Sequence, residues 1–265
     1  MLSLDKIYHA RFVLKDVARK TDLIYAPKID SESNVYLKTE NLQNTGSFKL
    51  RGAYYKISQL SKEEKERGVI ACSAGNHAQG VALAATKNNI PSIICLPDGA
   101  PISKVEATKE YGAKVCLVPG VYDDAYNKAI ELRDKEGYTF IHPFDDEDVI
   151  AGQGTIGLEI LDQLPDVEAV VVPVGGGGLI SGIAYALKAW AAFACLSPLM
   201  AFLVRLTLRP GALALVLKLG VFAGYVGMNL LLGSFLHYYD LPLLAVLAYL
   251  LFWKRWNKPS EDRKA

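Results

Sequence analysis

Between Val35 and Lys188, short apolar runs rich in β-branched residues alternate with stretches of helical periodicity. No other feature constrains the fold as strongly. Strand followed by helix, repeated, closes as parallel sheet with helices on both faces. Val35-Tyr36-Leu37-Lys38, Val69-Ile70-Ala71-Cys72, Ser92 to Leu96, Lys114 to Val118, Thr139 to His142 and Val170-Val171-Val172-Pro173-Val174 read as strands. Ser47 to Leu60, Ala78 to Asn88, Ile102 to Tyr111, Asp123 to Glu136, Gln153 to Leu164 and Leu179 to Lys188 read as helices. Gly68, Gly112 and Gly137 each follow a helical stretch and precede a strand, where a helix-ending glycine belongs. The class expected for this region is α/β.

The pattern stops after Lys188. Residues 189–265 hold eight Lys/Arg against three Asp/Glu, leaving 21 against 25 in residues 1–188. An acidic part is therefore joined to a basic, apolar one. Between Ala189 and Trp253 the only charges are Arg205, Arg209, Lys218 and Asp240. Leu219 to Leu236 carries none, and a run of roughly 18 apolar residues reaches the length needed to cross a bilayer. Tyr238, Tyr239, Trp253 and Trp256 lie at run ends, where a membrane interface favours aromatics. Two expectations follow for 189–265: an apolar all-helical tail with a transmembrane segment and membrane contact through 189–256, or a set of buried core helices. The basic residues form no aromatic-interleaved patch, so no nucleic-acid partner is expected. The N-terminus is charged and lacks the apolar core of a signal peptide, so a cytoplasmic location is expected for 1–188. Cys72, Cys95, Cys116 and Cys195 form no CxxC pair and read as free thiols; no metal site is expected.

Three segments carry chemistry. Lys49 stands in Thr45-Gly46-Ser47-Phe48-Lys49-Leu50-Arg51-Gly52, where Phe48 can desolvate its amine and so lower its pKa. A nucleophilic lysine needs that poise; the plain alternative is a solvated surface charge. Ser73-Ala74-Gly75-Asn76-His77 ends a strand and opens a helix, which makes an anion site of its amides or else a simple N-cap. His77 reads as a base or as a packed, hydrogen-bonded core histidine. Gly175-Gly176-Gly177-Gly178-Leu179 follows an apolar strand and precedes a helix. Four glycines cost much chain entropy, and they suit a phosphate wrapped by backbone amides at a helix N-terminus. The lysine of a nucleotide P-loop is missing, as is the acidic residue of a dinucleotide fold, so the phosphate belongs to another carrier. Asp145-Asp146-Glu147-Asp148 reads as a solvated loop or helix start rather than a metal site.

Taken together, residues from about 5 to 188 resemble the catalytic part of the threonine ammonia-lyase (threonine dehydratase) family, fold-type II enzymes dependent on pyridoxal phosphate and grouped with serine racemase. The likeness rests on Glu40-Asn41-Leu42-Gln43, Thr45 to Lys49, Ser73 to Gly80, Pro143-Phe144-Asp145, Gly152-Gln153-Gly154-Thr155 and Pro173 to Gly182. It implies that Lys49 is the catalytic residue and holds the cofactor as a Schiff base. It implies a cofactor site of Lys49, Phe48, Asn76, Gly175, Gly176, Gly177, Gly178 and Leu179, and a substrate carboxylate held by Ser73, Gly75 and His77. Racemases of the group place a serine just before the Gly-Asn-His; here that position is Ala74, which favours elimination. The implied reaction is deamination of L-threonine, and of L-serine, to 2-oxobutanoate or pyruvate and ammonia.

The resemblance ends where the alternation ends. It implies domain limits of 1–188 for the catalytic region, with a small domain at roughly 53–150 inserted in an incomplete large domain. Residues 189–265 match nothing in the family and offer no counterpart to the Ser or Cys that partners the pyridine nitrogen. Two other readings stay open: a membrane-anchored, non-catalytic protein of this fold or a chimera, and a racemase-like enzyme. The expected partner is a small amino acid, with a homo-oligomer as the expected assembly.

Overall fold

The computed structural model describes residues 1–189 except Ser31. The chain divides into two compact units, Met1–Lys188 and Ala189–Ala265. The tail readings, membrane segment and core helices alike, fall on residues 190–265 and lie outside the described residues. Among the described residues no helix is long and apolar enough to cross a membrane. Cys195 is outside them too, whereas Cys72, Cys95 and Cys116 are free thiols on adjacent strands.

The first unit is an α/β structure. Its strands are β1 (Leu23–Tyr25), β2 (Tyr36–Lys38), β3 (Val69–Cys72), β4 (Ser92–Pro97), β5 (Lys114–Val118) and β6 (Thr139–Phe140). Its helices are α1 (Leu4–Leu14), α2 (Lys49–Ser58), α3 (Lys62–Arg67), α4 (Asn76–Lys87), α5 (Ile102–Glu110), α6 (Tyr122–Glu136), α7 (Glu147–Gln163) and α8 (178–189). A 3-10 turn at Glu40–Leu42 leads into α2. β1 and β2 pair antiparallel, and the other four strands form a parallel sheet in the order β5-β4-β3-β6.

The pleat sorts side chains between two cores, because alternate residues of a strand face opposite ways. Val69 and Ala71 of β3 and Ile94 and Leu96 of β4 pack with Ala78, Val81, Ala82 and Ala85 of α4 and with Leu50, Ala53 and Ile57 of α2. The alternate residues Ile70, Cys72 and Cys95 pack on Ala125 and Ala129 of α6. Alanine and glycine bring the helices close. A Cβ on Gly152 of α7 would lie 2.6 Å from the Arg51 carbonyl oxygen and the Gly52 Cα of α2. A Cβ on Gly154 would lie 3.0 Å from the Gly182 carbonyl oxygen of α8. Thus α7 serves as the axle against which α2 and α8 are set. The acidic run supplies its N-cap, with Asp146 accepting from the amides of Asp148 and Val149.

Two features depart from the sequence reading. The strand expected at 170–174 is not formed; Val171 and Val174 are 96 % and 62 % exposed. β-Branched residues favour a strand, but the strand exists only through ladder partners, and among the described residues this segment has none. Conversely α1, α3 and β1 escape notice in the sequence because each is short or weakly patterned.

A buried charge lattice locks the base of α2. The Arg51 side chain, 1 % exposed, donates to both carboxylate oxygens of Glu40 (each 2.9 Å), to both of Glu159 (2.6 and 3.0 Å) and to Thr155 Oγ1 (3.2 Å). Lys38 Nζ joins Glu159 Oε2 at 2.6 Å. Removing one partner of such a set strands the others without compensation. Arg51→Met is expected to lower unfolding free energy by about 3–5 kcal/mol in urea titration. Arg11→Ala, which breaks the more exposed pair with Asp162, is expected to cost under about 1 kcal/mol. Equal effects would refute the lattice as an anchor.

Candidate active site

The sheet dictates where a site forms. From β3 the chain steps outward to β4 and β5, then returns to place β6 on the other side of β3. That reversal leaves a crevice beyond the carboxyl ends of β3 and β6, where open parallel sheets bind ligands. β3 is followed by Ser73-Ala74-Gly75-Asn76-His77, and β6 by Ile141-His142-Pro143-Phe144.

Lys49, the first residue of α2, reaches this crevice. Its Nζ donates to the Pro143 carbonyl oxygen at 2.7 Å and lies 5.4 Å from the centre of the Phe48 ring. Burial lowers its pKa from the ordinary 10.5, with no carboxylate to restore it. The amine is thus easier to deprotonate than a surface lysine. Helix α4 crosses close behind, since a Cβ on Gly80 would lie 3.0 Å from the Lys49 carbonyl carbon.

The β3 end turns sharply into α4. Ser73 Oγ accepts the Gly75 amide at 3.2 Å, and a Cβ on Gly75 would meet nothing within 4 Å, so the turn borders open space. The first amides of any helix have no partner within it, and no side chain caps those of α4. Asn76 Oδ1 accepts from Lys104 Nζ at 3.3 Å, leaving its amide nitrogen as donor. His77 decides between its two readings. Its Nε2 donates to the Ile141 carbonyl oxygen at 2.9 Å, and burial pushes its pKa down to about 4. The ring is a packed, neutral core group that ties β3's end to β6's end.

The glycine loop closes the crevice from the side of α8. A Cβ on Gly176 would run into the Phe144 ring, and one on Gly178 would lie 2.6 Å from the Phe144 carbonyl oxygen. Gly175 and Gly177 border open space, and Gly177 takes φ +89°, a conformation that favours glycine. Leu179 and Phe48 pack in one cluster with Ile156, Ile160 and Ile183. The loop therefore rests on Phe144 with two backbone positions free toward the opening.

The segment Ile141 to Phe144 thus receives His77, Lys49 and the glycine loop. The sequence reading picks out Pro143 and Phe144 only as part of a resemblance, and it misses His142 and Lys104. His142 Nδ1 accepts the amides of Phe144 and Asp145 at 3.3 and 2.7 Å. A His-Pro-Phe run directly after a strand is the one local signal that could have drawn attention to it.

The site thus brings together a partly desolvated lysine and two glycine-bearing turns that border open space. The chain belongs to the pyridoxal-phosphate dependent enzyme family, whose model matches residues 14–201. It is 55 % identical over 190 residues to the L-threonine ammonia-lyase of Thermotoga maritima, covering 71 % of this chain and 47 % of that protein. It is 52 % identical over 193 residues to the catabolic L-threonine dehydratase of Staphylococcus aureus, covering 72 % and 56 %. Among solved structures, it matches the processed threonine deaminase isoform 2 of Solanum lycopersicum (TM-score 0.66, 45 % identity, 70 % of this chain and 53 % of that one). Maize serine racemase matches with TM-score 0.69 and 37 % identity, over 71 % and 58 %. The chain spans about half the length of the curated relatives it matches.

The geometry fits the cofactor that the family implies. Pyridoxal phosphate needs an amine for its aldehyde and donors for its phosphate. Lys49 Nζ offers the first, and the open positions at Gly175 and Gly177 offer room at a helix N-terminus for the second. Gly176→Ala forces its methyl into the Phe144 ring, and is expected to weaken pyridoxal phosphate binding about tenfold, or 1.4 kcal/mol, in equilibrium dialysis. Unchanged affinity would mean that the loop does not hold the phosphate.

Proposed function

We propose that this chain carries the cofactor-binding part of an enzyme that deaminates L-threonine, and L-serine, to 2-oxobutanoate or pyruvate and ammonia. Its sheet-bearing stretch from about 53 to 150 is the small domain, and the large domain is only partly represented. The observation that carries the reading is Lys49. Its amine is partly desolvated, is aimed by a backbone carbonyl and lies in a chain 55 % identical to an L-threonine ammonia-lyase.

The residues divide the task. The amides of Gly175 to Gly178 and the N-terminus of α8 hold the phosphate. The Asn76 amide nitrogen donates to the oxygen on the ring. Ser73, Gly75 and the backbone of His77 receive the substrate carboxylate at the N-terminus of α4, where helix amides favour an anion. When bound, pyridoxal phosphate supplies an electron-withdrawing ring that stabilises negative charge at the substrate α-carbon. Lys49 Nζ, neutral once it leaves Pro143, takes the α-proton. Loss of that proton and of the β-hydroxyl, followed by hydrolysis of the released unsaturated amine, yields keto acid and ammonia.

Ala74 sets the outcome apart from racemisation. Its methyl packs against the α4-side core and carries no proton to donate to the opposite face of the substrate. The test has two parts. Purified chain with added pyridoxal phosphate is expected to show a visible band from lysine-bound cofactor, lost in Lys49→Ala. With L-threonine and L-serine, keto acid is expected to dominate, and Lys49→Ala is expected to slow its release at least about 10²–10⁴-fold. Dominant D-serine formation would favour the racemase reading. Absence of both band and turnover in folded protein would overturn the proposal.

A further inference from the structure

We propose that His142 is a positioning residue: in its neutral form alone, it holds one turn that sets both the Lys49 amine and the glycine loop. The inference rests on the roles given above to Lys49 and to Gly175 to Gly178, and it adds a residue that touches neither cofactor nor substrate.

The turn depends on one lone pair. His142 Nδ1 accepts the Asp145 amide at 2.7 Å and the Phe144 amide at 3.3 Å. A neutral imidazole can do this only with its proton on Nε2; the imidazolium has a hydrogen on each nitrogen and accepts nothing. A proton on Nδ1 would therefore remove the acceptor from both amides and set a positive N–H against them. The ring is also wedged edge-on against Phe144, with centres 4.7 Å apart and planes at 84°, and it meets Phe140 at 6.3 Å.

Two parts of the site ride on the residues so held. The Pro143 carbonyl, between His142 and the first captured amide, accepts from Lys49 Nζ at 2.7 Å. The Phe144 ring and carbonyl are the floor under Gly176 and Gly178. Opening the turn would shift the acceptor of the lysine and the support of the phosphate loop together. No other described side chain accepts from the amides of Phe144 and Asp145.

The groups facing His142 oppose one another. Asp145 and Asp146, on the loop that follows, favour its charged form. Lys49 from α2 disfavours it, as does burial, which is the larger cause, and its pKa is lowered from 6.5. His77 from α4 lies within the same field and stays neutral down to about 4. A histidine whose folded pKa is depressed contributes stability that is present in full above the ordinary value and lost as pH falls through the folded one. The coupling therefore acts on the acid side of neutrality.

His142→Asn and His142→Leu separate the possibilities in the full chain. Asparagine keeps an acceptor oxygen near the position of Nδ1 but does not titrate; leucine keeps bulk and loses the acceptor. Pyridoxal phosphate affinity is read by fluorescence titration from about pH 7.5 to about pH 5.5, the range in which a histidine changes charge. At the upper end His142→Asn is expected to bind within about threefold of the parent, and His142→Leu about tenfold more weakly. On acidification the parent is expected to lose affinity more steeply than His142→Asn. Leucine binding as tightly as the parent, or asparagine following the parent's acid profile, would overturn the proposal. Amide hydrogen exchange at Phe144 and Asp145 in cofactor-free protein tests the turn by itself: slow in the parent and His142→Asn, fast in His142→Leu. If the parent bound no cofactor, the proposed function would fall and this exchange would decide the role of His142. Equal exchange in all three proteins would refute it.

Discussion

Four residues after β6, Ile141 to Phe144, are where the site is joined, and the reason is topological. The sheet reverses its direction of growth between β3 and β6, so the ends of those two strands face one crevice. Ile141 takes the hydrogen bond of His77, which fastens the β3 end to the β6 end. Pro143 takes the hydrogen bond of Lys49, which brings in α2, and Phe144 carries the glycine loop of α8. A chain without this segment could form every helix and strand and still fail to bring the lysine and the loop together.

The second constraint is the setting of α2. Lys49 opens that helix, and Arg51, two residues on, is committed to Glu40 and to Glu159 and Thr155 of α7. Glycine pairs let α7 approach α2 and α8 closely enough for both to be held by one axle. Buried charge and small residues thus act toward one end: they fix the direction from which the amine enters. The same desolvation that makes a charged lattice costly lowers the pKa of Lys49, whose side-chain amine has a carbonyl as its only polar partner among the described hydrogen bonds.

Much of this was legible in the sequence. β3 and β5 stand as read, because each is a short apolar run holding two β-branched residues and following a helix-ending glycine. Lys49, Asn76 and the glycine loop could be named because their residue types are expensive or chemically active in their setting. What could not be read was long-range. Lys104 on Asn76 and His142 under the Pro143 turn act through contacts set by tertiary packing, with no periodicity to announce them. The run at 170–174 misled for the same reason: its composition is that of a strand, but the composition does not contain the partner. For His77 the sequence leaves a base and a packed, hydrogen-bonded histidine open, and its bond to the Ile141 carbonyl selects the second.

The chain spans about half the length of its curated relatives, and the described residues include Lys49, Asn76 and the glycine loop at 175–178. On the proposed function, this set holds the cofactor through one lysine chosen by its environment. Borohydride reduction of the chain loaded with pyridoxal phosphate, followed by peptide mapping by mass spectrometry, tests it most directly. A single pyridoxyl group on Lys49 is expected, in stoichiometric yield and absent elsewhere. Label spread over surface lysines, or concentrated on Lys104, would contradict it.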